Sequence, residues 1–289
     1  MDTKIKSLLQ VHLAVFLLGF SGLFGKLTTV SIFTLILGRS VFSFLSLGGM
    51  LNFQRESINI ENRKDLYWLL SLGAILTFHW ITFFYSIKLS TVAIGLLTFS
   101  TFPIFVTFLE PIFFKEKLHI KDIIIAIIAF SGIFFVVPKF DFTNNMTMGA
   151  IWGVISGISY ALFSLGNRNM VKKYSGSVVS LYEQLTVVMI LTPYYLLFNK
   201  ETAPLKEILL IALLGIVFTA LAHTLAISAL KHIKAKTSSI IFCLEPLYAI
   251  IAASFILNEI PSQRTIIGGV IILGTVLYST LTSKKWKTT

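Results

Sequence analysis

Ten runs of predominantly apolar residues, each close to the length that crosses a bilayer, follow one another along this chain. A spanning helix needs roughly 20 such residues to cover a hydrocarbon core of about 30 Å. Only helices or closed barrels satisfy their own backbone polar groups at that depth. The runs lie at 7–25, 29–51, 66–87, 91–114, 122–137, 148–170, 178–198, 205–230, 235–257 and 265–281. Charged residues make up 13% of the chain, against roughly 25% in a soluble domain, and they gather in the breaks between runs. The expected fold class is an all-α membrane protein of ten transmembrane helices.

The breaks also set an orientation. With the N-terminus in the cytoplasm, Lys26, Lys88, Lys139, Lys200, Lys206 and Arg264 fall on the far side of the membrane. Every other lysine and arginine, apart from the intramembrane Arg39, falls on the cytoplasmic side. This excess follows the positive-inside rule and places both termini inside a bacterial-type cytoplasmic (inner) membrane. Topology thus accounts for the net charge of +11, and no nucleic-acid partner is expected. The single cysteine, Cys243, excludes an intrachain disulfide. The first run resembles a signal peptide but lacks a small-x-small cleavage site, so it is read as an uncleaved span.

The polar stretch 138–147 falls near the midpoint, giving a first half 1–137, a connector 138–147 and a second half 148–289. Five spans is an odd number, so the two halves must face opposite ways. Inverted repeats of this kind underlie many secondary transporters, whose substrate site lies between the repeats near the midplane. One constant shift superposes Lys88 on Lys231, Pro103 on Pro246 and Glu116 on Glu259. It also matches Phe-Lys-Glu-Lys-Leu at 114–118 with Leu-Asn-Glu-Ile-Pro at 257–261.

Two further segments carry a family likeness: Pro-Ile-Phe-Val-Thr-Phe-Leu-Glu-Pro-Ile-Phe-Phe-Lys-Glu-Lys at 103–117, and Leu-Glu-Pro-Leu-Tyr-Ala-Ile-Ile-Ala-Ala-Ser-Phe-Ile-Leu-Asn-Glu at 244–259. On these residues and the two five-span halves, the chain resembles the drug/metabolite transporter superfamily, specifically its EamA-type members. Arg39, with Ser40 and Val41 before Phe42, meets the family's Arg-plus-aromatic pattern in part. The resemblance implies ten helices, cytoplasmic termini and alternating access. It implies substrates ranging from amino acids and other metabolites to amphipathic toxicants.

Ionisable groups within a span cost roughly 2.5–3.5 kcal/mol each on insertion scales, so the few present are the candidate site. Arg39, His79, Glu183, His223 and Glu245 lie inside runs, with His12 and Glu110 nearer the ends. Glu245 stands about midway along its run, next to Pro246, whose ring and missing N–H disturb the helix. It reads either as a substrate or proton site or as an acid paired with Arg39 or a histidine. Pro103 is the counterpart of Pro246, and both read as kinks that shape and flex their helices. His79 and His223 fall one position apart under the repeat shift, and either relays protons or bonds a neighbouring carbonyl. Arg39 is expected to find an acidic or carbonyl partner, Glu183 and Glu245 being the available acids, or to clamp a substrate carboxylate. Glu183 and Glu110, close to helix ends, read as interfacial.

Trp80, Phe83 and Tyr160 are candidate walls of an apolar cavity. Trp68 and Trp286 read as interface anchors. Gly149, Gly153, Gly157 and Ala161 recur every four residues and form a smooth strip for close helix packing. Gly19, Gly22 and Gly25 read as packing or bending points in the first helix. No phosphate loop, zinc-protease or hydrolase-elbow motif is present, so no cofactor, metal or enzymatic activity is expected. The chain is read as a secondary carrier, an exporter of amino acids or related amphipathic compounds. Glu245, His79, His223, Arg39, Trp80 and Tyr160 are its substrate contacts. Protons are the candidate coupling ion, lipid surrounds the protein, and monomer and homodimer are both open. Alternatives are a metabolite importer and, from another class, an intramembrane enzyme or lipid-handling protein.

Overall fold

A computed structural model describes residues 3–114, 120–137, 141–198, 201–233 and 235–282, and no strand occurs among them. The helices are α1 (Thr3–Ser21), α2 (Phe24–Leu27), α3 (Ile32–Phe53), α4 (Arg63–Leu89), α5 (Val92–Phe99), α6 (Phe102–Phe114) and α7 (Ile120–Val136). The second half holds α8 (Asn145–Met170), α9 (Gly176–Phe198), α10 (Leu205–Gly215), α11 (Ala222–Ala229), α12 (Ala235–Phe242), α13 (Glu245–Ile256) and α14 (Gln263–Thr282). A π-helical stretch, Ile216–Leu221, joins α10 to α11. Lys115, Glu116, Lys117, Leu118, Lys139, Lys200, Lys234, Lys284, Lys285, Trp286 and Lys287, used above for orientation, anchoring and the repeat, lie outside the described residues.

Short polar residues start the helices where the apolar runs begin. Ser31 accepts a bond from the Thr34 N–H, Asn62 from Lys64, Thr91 from Ile94 and Asn144 from Met146. Each cap fills one of the four N–H groups that a helix start leaves without a partner. At its far end α13 stops at Asn258, in the left-handed region with φ 57°, while the Glu259 N–H reaches back to the Ala253 carbonyl. The Glu259 carboxylate, the motif acid of 257–261, then accepts the Val92 N–H at 2.9 Å and caps α5. A repeat-motif residue therefore has a local job: it ties one helix end to another helix start.

Among the described residues, seven helical runs are long and apolar enough to cross a membrane: Ile5–Leu27, Ile32–Phe53, Arg63–Leu89, Val92–Phe113, Asn145–Met170, Gly176–Phe198 and Leu205–Ala229. Three shorter apolar helices are Ile123–Val136, Glu245–Ile256 and Gln263–Tyr278. Large apolar side chains such as Leu45, Ile127, Leu197, Phe255 and Val270 are exposed around the outside. A water-soluble monomer does not carry so broad an apolar surface, whereas lipid covers it at no cost.

Two expected spans are divided near their middles. The run 91–114 breaks between α5 and α6 at Ser100 and Thr101, and 235–257 breaks between α12 and α13 at Cys243 and Leu244. The repeat shift superposes these two breaks. Pro103 and Pro246 sit in the first turn of a new helix rather than inside a bent one. A residue without an N–H fits there because the first-turn donors have no helical acceptor. The prolines inside helices are instead Pro111 and Pro193.

The packing follows the small residues. α8 lies along α4 and α5, and α1 lies along α11 and α13. α3 packs on α9 and α10, α4 on α9, α5 on α13, α6 on α12, and α7 on α14. A Cβ on Gly157 would meet the Phe99 carbonyl at 3.0 Å, and one on Gly149 the Ser86 carbonyl at 3.0 Å. Gly153 faces Thr98 and Gly95 in the same strip. Gly153→Val is therefore expected to push α8 off α5 and destabilise the fold by about 1–3 kcal/mol. Chemical unfolding in detergent would measure it, with Gly274→Ala as a control because nothing lies within 4 Å of that site.

Candidate functional site

Where the broken helices face α1, α3, α4, α8 and α11, the interior holds a small cavity of about 30 Å³. That is room for a water or two. Its lining includes all six residues singled out as substrate contacts: Arg39, His79, Trp80, Tyr160, His223 and Glu245. Leu18, Ser21, Phe83, Phe99 and Phe242 complete it. Phe99 and Phe242 end the helices before the two breaks, so the breaks themselves put aromatic rings on the cavity. Gly19 lets α1 reach α13: a Cβ there would lie 3.2 Å from the Glu245 carbonyl.

Arg39 is 1% exposed. Its guanidinium carbon lies 4.1 Å from the centre of the Trp80 ring and 5.4 Å from Phe84. Its Nε donates to the Thr219 hydroxyl at 2.9 Å, and that hydroxyl donates to the Leu214 carbonyl at 2.7 Å. The π-helical stretch thus supplies the acceptor. The expected acidic partner is absent: among the described residues no carboxylate comes within ion-pair distance of Arg39. Aromatic stacking orients the guanidinium and leaves its two terminal nitrogens for another acceptor.

Glu245 occupies the first turn of α13, where free N–H groups and the helix dipole favour a negative charge. One of its oxygens, Oε2, is buried with no protein donor. Across the cavity, His79 Nδ1 lies 2.9 Å from the Ser156 hydroxyl and 3.1 Å from the Ser156 carbonyl. Donation to the carbonyl sets the Nδ1–H tautomer and leaves Nε2 as an acceptor. The Tyr160 ring lies 5.0 Å from His79, 5.0 Å from Phe102 and 5.6 Å from Phe242. The apolar wall is therefore a continuous aromatic cluster.

Glu183 corrects its sequence reading. It is not interfacial but fully buried, and its Oε2 lies 3.3 Å from His223 Nε2. The reason is Gly73 of α4, where a Cβ would meet the Glu183 carbonyl at 2.9 Å. Without a side chain at Gly73, α9 presses onto α4 and carries Glu183 inward. Glu110 is also buried and lies 3.4 Å from Arg168.

Polar contacts tie both ends of the bundle. At one end the Thr29 N–H and hydroxyl both donate to Glu207, at 3.2 and 2.9 Å. Glu201 accepts from the Ser31 N–H and the Thr34 hydroxyl, both at 2.9 Å. Lys26 donates to the Ser90 carbonyl at 2.7 Å and Lys88 to the Val30 carbonyl at 2.8 Å. Burial works to raise the Glu201 pKa, but the Ser31 and Thr34 donors and the nearby Lys88 charge outweigh it and hold it below the usual value. The contribution of this contact is present above the ordinary carboxylate range and fades only as pH falls through the lowered value. At the other end Lys173 meets Asp65 at 2.8 Å, Tyr174 donates to Asp65 at 3.1 Å, and Tyr182 donates to the Ile58 carbonyl at 3.0 Å. Each end uses an acid in the first turn of a helix distant in the chain from the loop it holds: Glu207 in α10 for Thr29 and Asp65 in α4 for Lys173 and Tyr174. Sequence reading missed these two acids and Glu201. Their signal was an acid at or just before a helix start.

The sequence pattern of the EamA-like transporter family matches residues 5–137 and 147–281. This chain belongs to the EamA-like transporter family. An uncharacterised transporter of Bacillus subtilis is 24% identical over 273 residues, 93% of this chain and 88% of that protein. An S-adenosylmethionine uptake transporter of Rickettsia bellii is 26% identical over 219 residues, 74% of this chain and 72% of that protein. A solved crystal structure shares the fold at 17% identity, with a TM-score of 0.74 over 98% of this chain and 99% of that one. This EamA-like protein is a multi-pass membrane transporter, and all the residues that line its cavity fall within the two matched blocks.

Proposed function

We propose that the protein is a secondary-active carrier of amphipathic, amino-acid-like compounds, working by alternating access in the cytoplasmic membrane with both termini inside. The cavity carries this reading. A guanidinium without a carboxylate partner, a carboxylate at a half-helix N-terminus and stacked aromatic rings converge on one small cavity. Arg39 suits a substrate carboxylate, because its planar fork binds two oxygens at once. Glu245 suits a cationic group, and the faces of Trp80 and Tyr160 suit a planar or cationic one. S-adenosylmethionine, the compound named for the rickettsial relatives, carries an amino-acid head, a sulfonium and a planar base. It is the first probe we would use, with free amino acids second.

We read the three shorter apolar helices, with α12 completing α13, as the spans that bring the total to ten. The halves 1–137 and 148–289 are read as inverted repeats around the connector 138–147. Three observations support this. The family match falls in two blocks, the two helix breaks superpose under the repeat shift, and the packing pairs exchange when the halves are swapped. A small cavity tied shut at both ends has the geometry of an occluded carrier. Export is the direction that the sequence reading favoured. The uptake function named for the rickettsial relatives makes import the second reading.

Counterflow in proteoliposomes tests the proposal. Vesicles preloaded with unlabelled S-adenosylmethionine are expected to draw in labelled compound, and vesicles lacking the protein are not. Exchange of neither S-adenosylmethionine nor any amino acid would remove this cargo class. Arg39→Lys keeps the charge but loses the fork and the stack on Trp80. It is expected to weaken S-adenosylmethionine half-saturation by about tenfold. The decarboxylated analogue is expected to be unaffected, and an equal loss for both would remove the carboxylate role.

A further inference from the structure

Glu183 is the most deeply buried acid among the described residues, and it lies outside the cavity lining. It is sealed from solvent, neither oxygen has a full protein hydrogen bond, and its close contact is His223 Nε2 at 3.3 Å. His223 belongs to both regions, since it lines the cavity while its Nε2 faces Glu183. Its ring is fixed by stacking on Phe163 at 5.3 Å and lies 5.9 Å from Trp80, the ring that carries Arg39.

A lone carboxylate is costly in such a place, and one proton shared with the imidazole removes the net charge and lowers that cost. The charged and titratable groups that face the pair are few. α3 brings Arg39, α4 brings His79, α8 brings Tyr160, and the α12–α13 break brings Glu245 across the cavity. α1 and the π-helical stretch bring none, His12 of α1 lying on its exposed side. The charge state of the pair is therefore felt mainly at the cavity.

We propose that the Glu183–His223 pair is the coupling-proton site of this carrier, and that its proton exchanges for a cationic group bound in the adjoining cavity. The inference rests on the carrier reading above. With the cavity empty and open to one side, the pair takes one proton from water, and Glu183 and His223 share it as a neutral unit. A cation entering beside His223 repels the imidazolium form. The proton leaves through the ring to the side then open, and the pair keeps one negative charge opposite the bound cation. One proton moves one way for each cation that moves the other.

The test uses the full protein in vesicles loaded with a pH-sensitive dye, with S-adenosylmethionine as the probe. In the wild type, a pH gradient alone is expected to drive accumulation, and probe movement is expected to carry protons the opposite way. Glu183→Gln is expected to keep counterflow within about threefold while losing gradient-driven accumulation by about tenfold or more. Glu183→Asp keeps the acid and is expected to restore coupling with a shifted pH profile, which a purely structural role would not produce. Wild-type counterflow without proton movement, or accumulation driven equally by a sodium gradient, would overturn the proposal while leaving the carrier intact. So would a Glu183→Gln protein that still accumulates under a pH gradient. If Glu183→Gln loses counterflow as well, Glu183→Asp decides: coupling with a shifted pH profile supports the site, and an unshifted profile overturns it. Absence of counterflow in the wild type would remove the carrier reading for this cargo and this site with it.

Discussion

Glu245→Gln is expected to lower transport of a cationic amphipath by about 10–100-fold, because a hydrogen bond to a charged group is worth about 1.5–3 kcal/mol. The change preserves shape, and α13 keeps its proline-led first turn. The protein should therefore fold and reach the membrane, as size-exclusion profiles would show. Half-saturation should rise for probes with a cationic centre and stay near the wild-type value for neutral ones. Since Glu245 Oε2 has no protein donor, removing its charge breaks no internal pair. That separates a binding role from a structural one: unchanged transport would leave Glu245 without a part in the site.

Glu207→Ala is expected to open one end of the bundle, and Asp65→Asn the other, with unequal force. Glu207 is buried and receives two donors from Thr29. At about 1.5 kcal/mol or more for each charged hydrogen bond, its loss should shift the occluded-to-open balance by tenfold or more. The Lys173 side chain that meets Asp65 is half exposed, and a surface pair contributes about 0–1 kcal/mol. The shift at that end should then be severalfold at most. Distances between spin labels across the two ends would check both. Equal effects from the two substitutions would mean that burial does not set the strength of these ties.

The apolar helices, seven of them of membrane length among the described residues, were legible because an apolar run of bilayer length has few other uses. The convergence of Arg39, His79, His223 and Glu245 on one cavity follows from the same physics. A chain that keeps a costly group in an apolar run places it where protein, not lipid, surrounds it. The splitting of two spans was not legible. Pro103 and Pro246 announced a disturbance, but a kink and a break look alike until the turns at Ser100–Thr101 and Cys243–Leu244 are seen. Glu183 was misread because its depth was counted along its own helix, whereas its burial is set by Gly73 on another. Phe99 and Phe242 could not be told from the many lipid-facing phenylalanines, since only the breaks turn them toward the cavity. The π-helical stretch that brings Thr219 to Arg39 leaves no sequence mark, because Ile216–Leu221 reads as ordinary apolar helix.

The carrier reading stands on one cavity that opens in turn to each side of the membrane, and Ser21 reports on it. Ser21 lines the cavity and is buried, so Ser21→Cys, with Cys243→Ser to remove the native thiol, places one thiol at the site. We would measure its reaction with a membrane-impermeant maleimide added from either face of reconstituted vesicles. We expect labelling from both faces, slowed from both when the transported compound is present. Labelling from one face only, at a rate indifferent to that compound, would show a cavity that does not alternate.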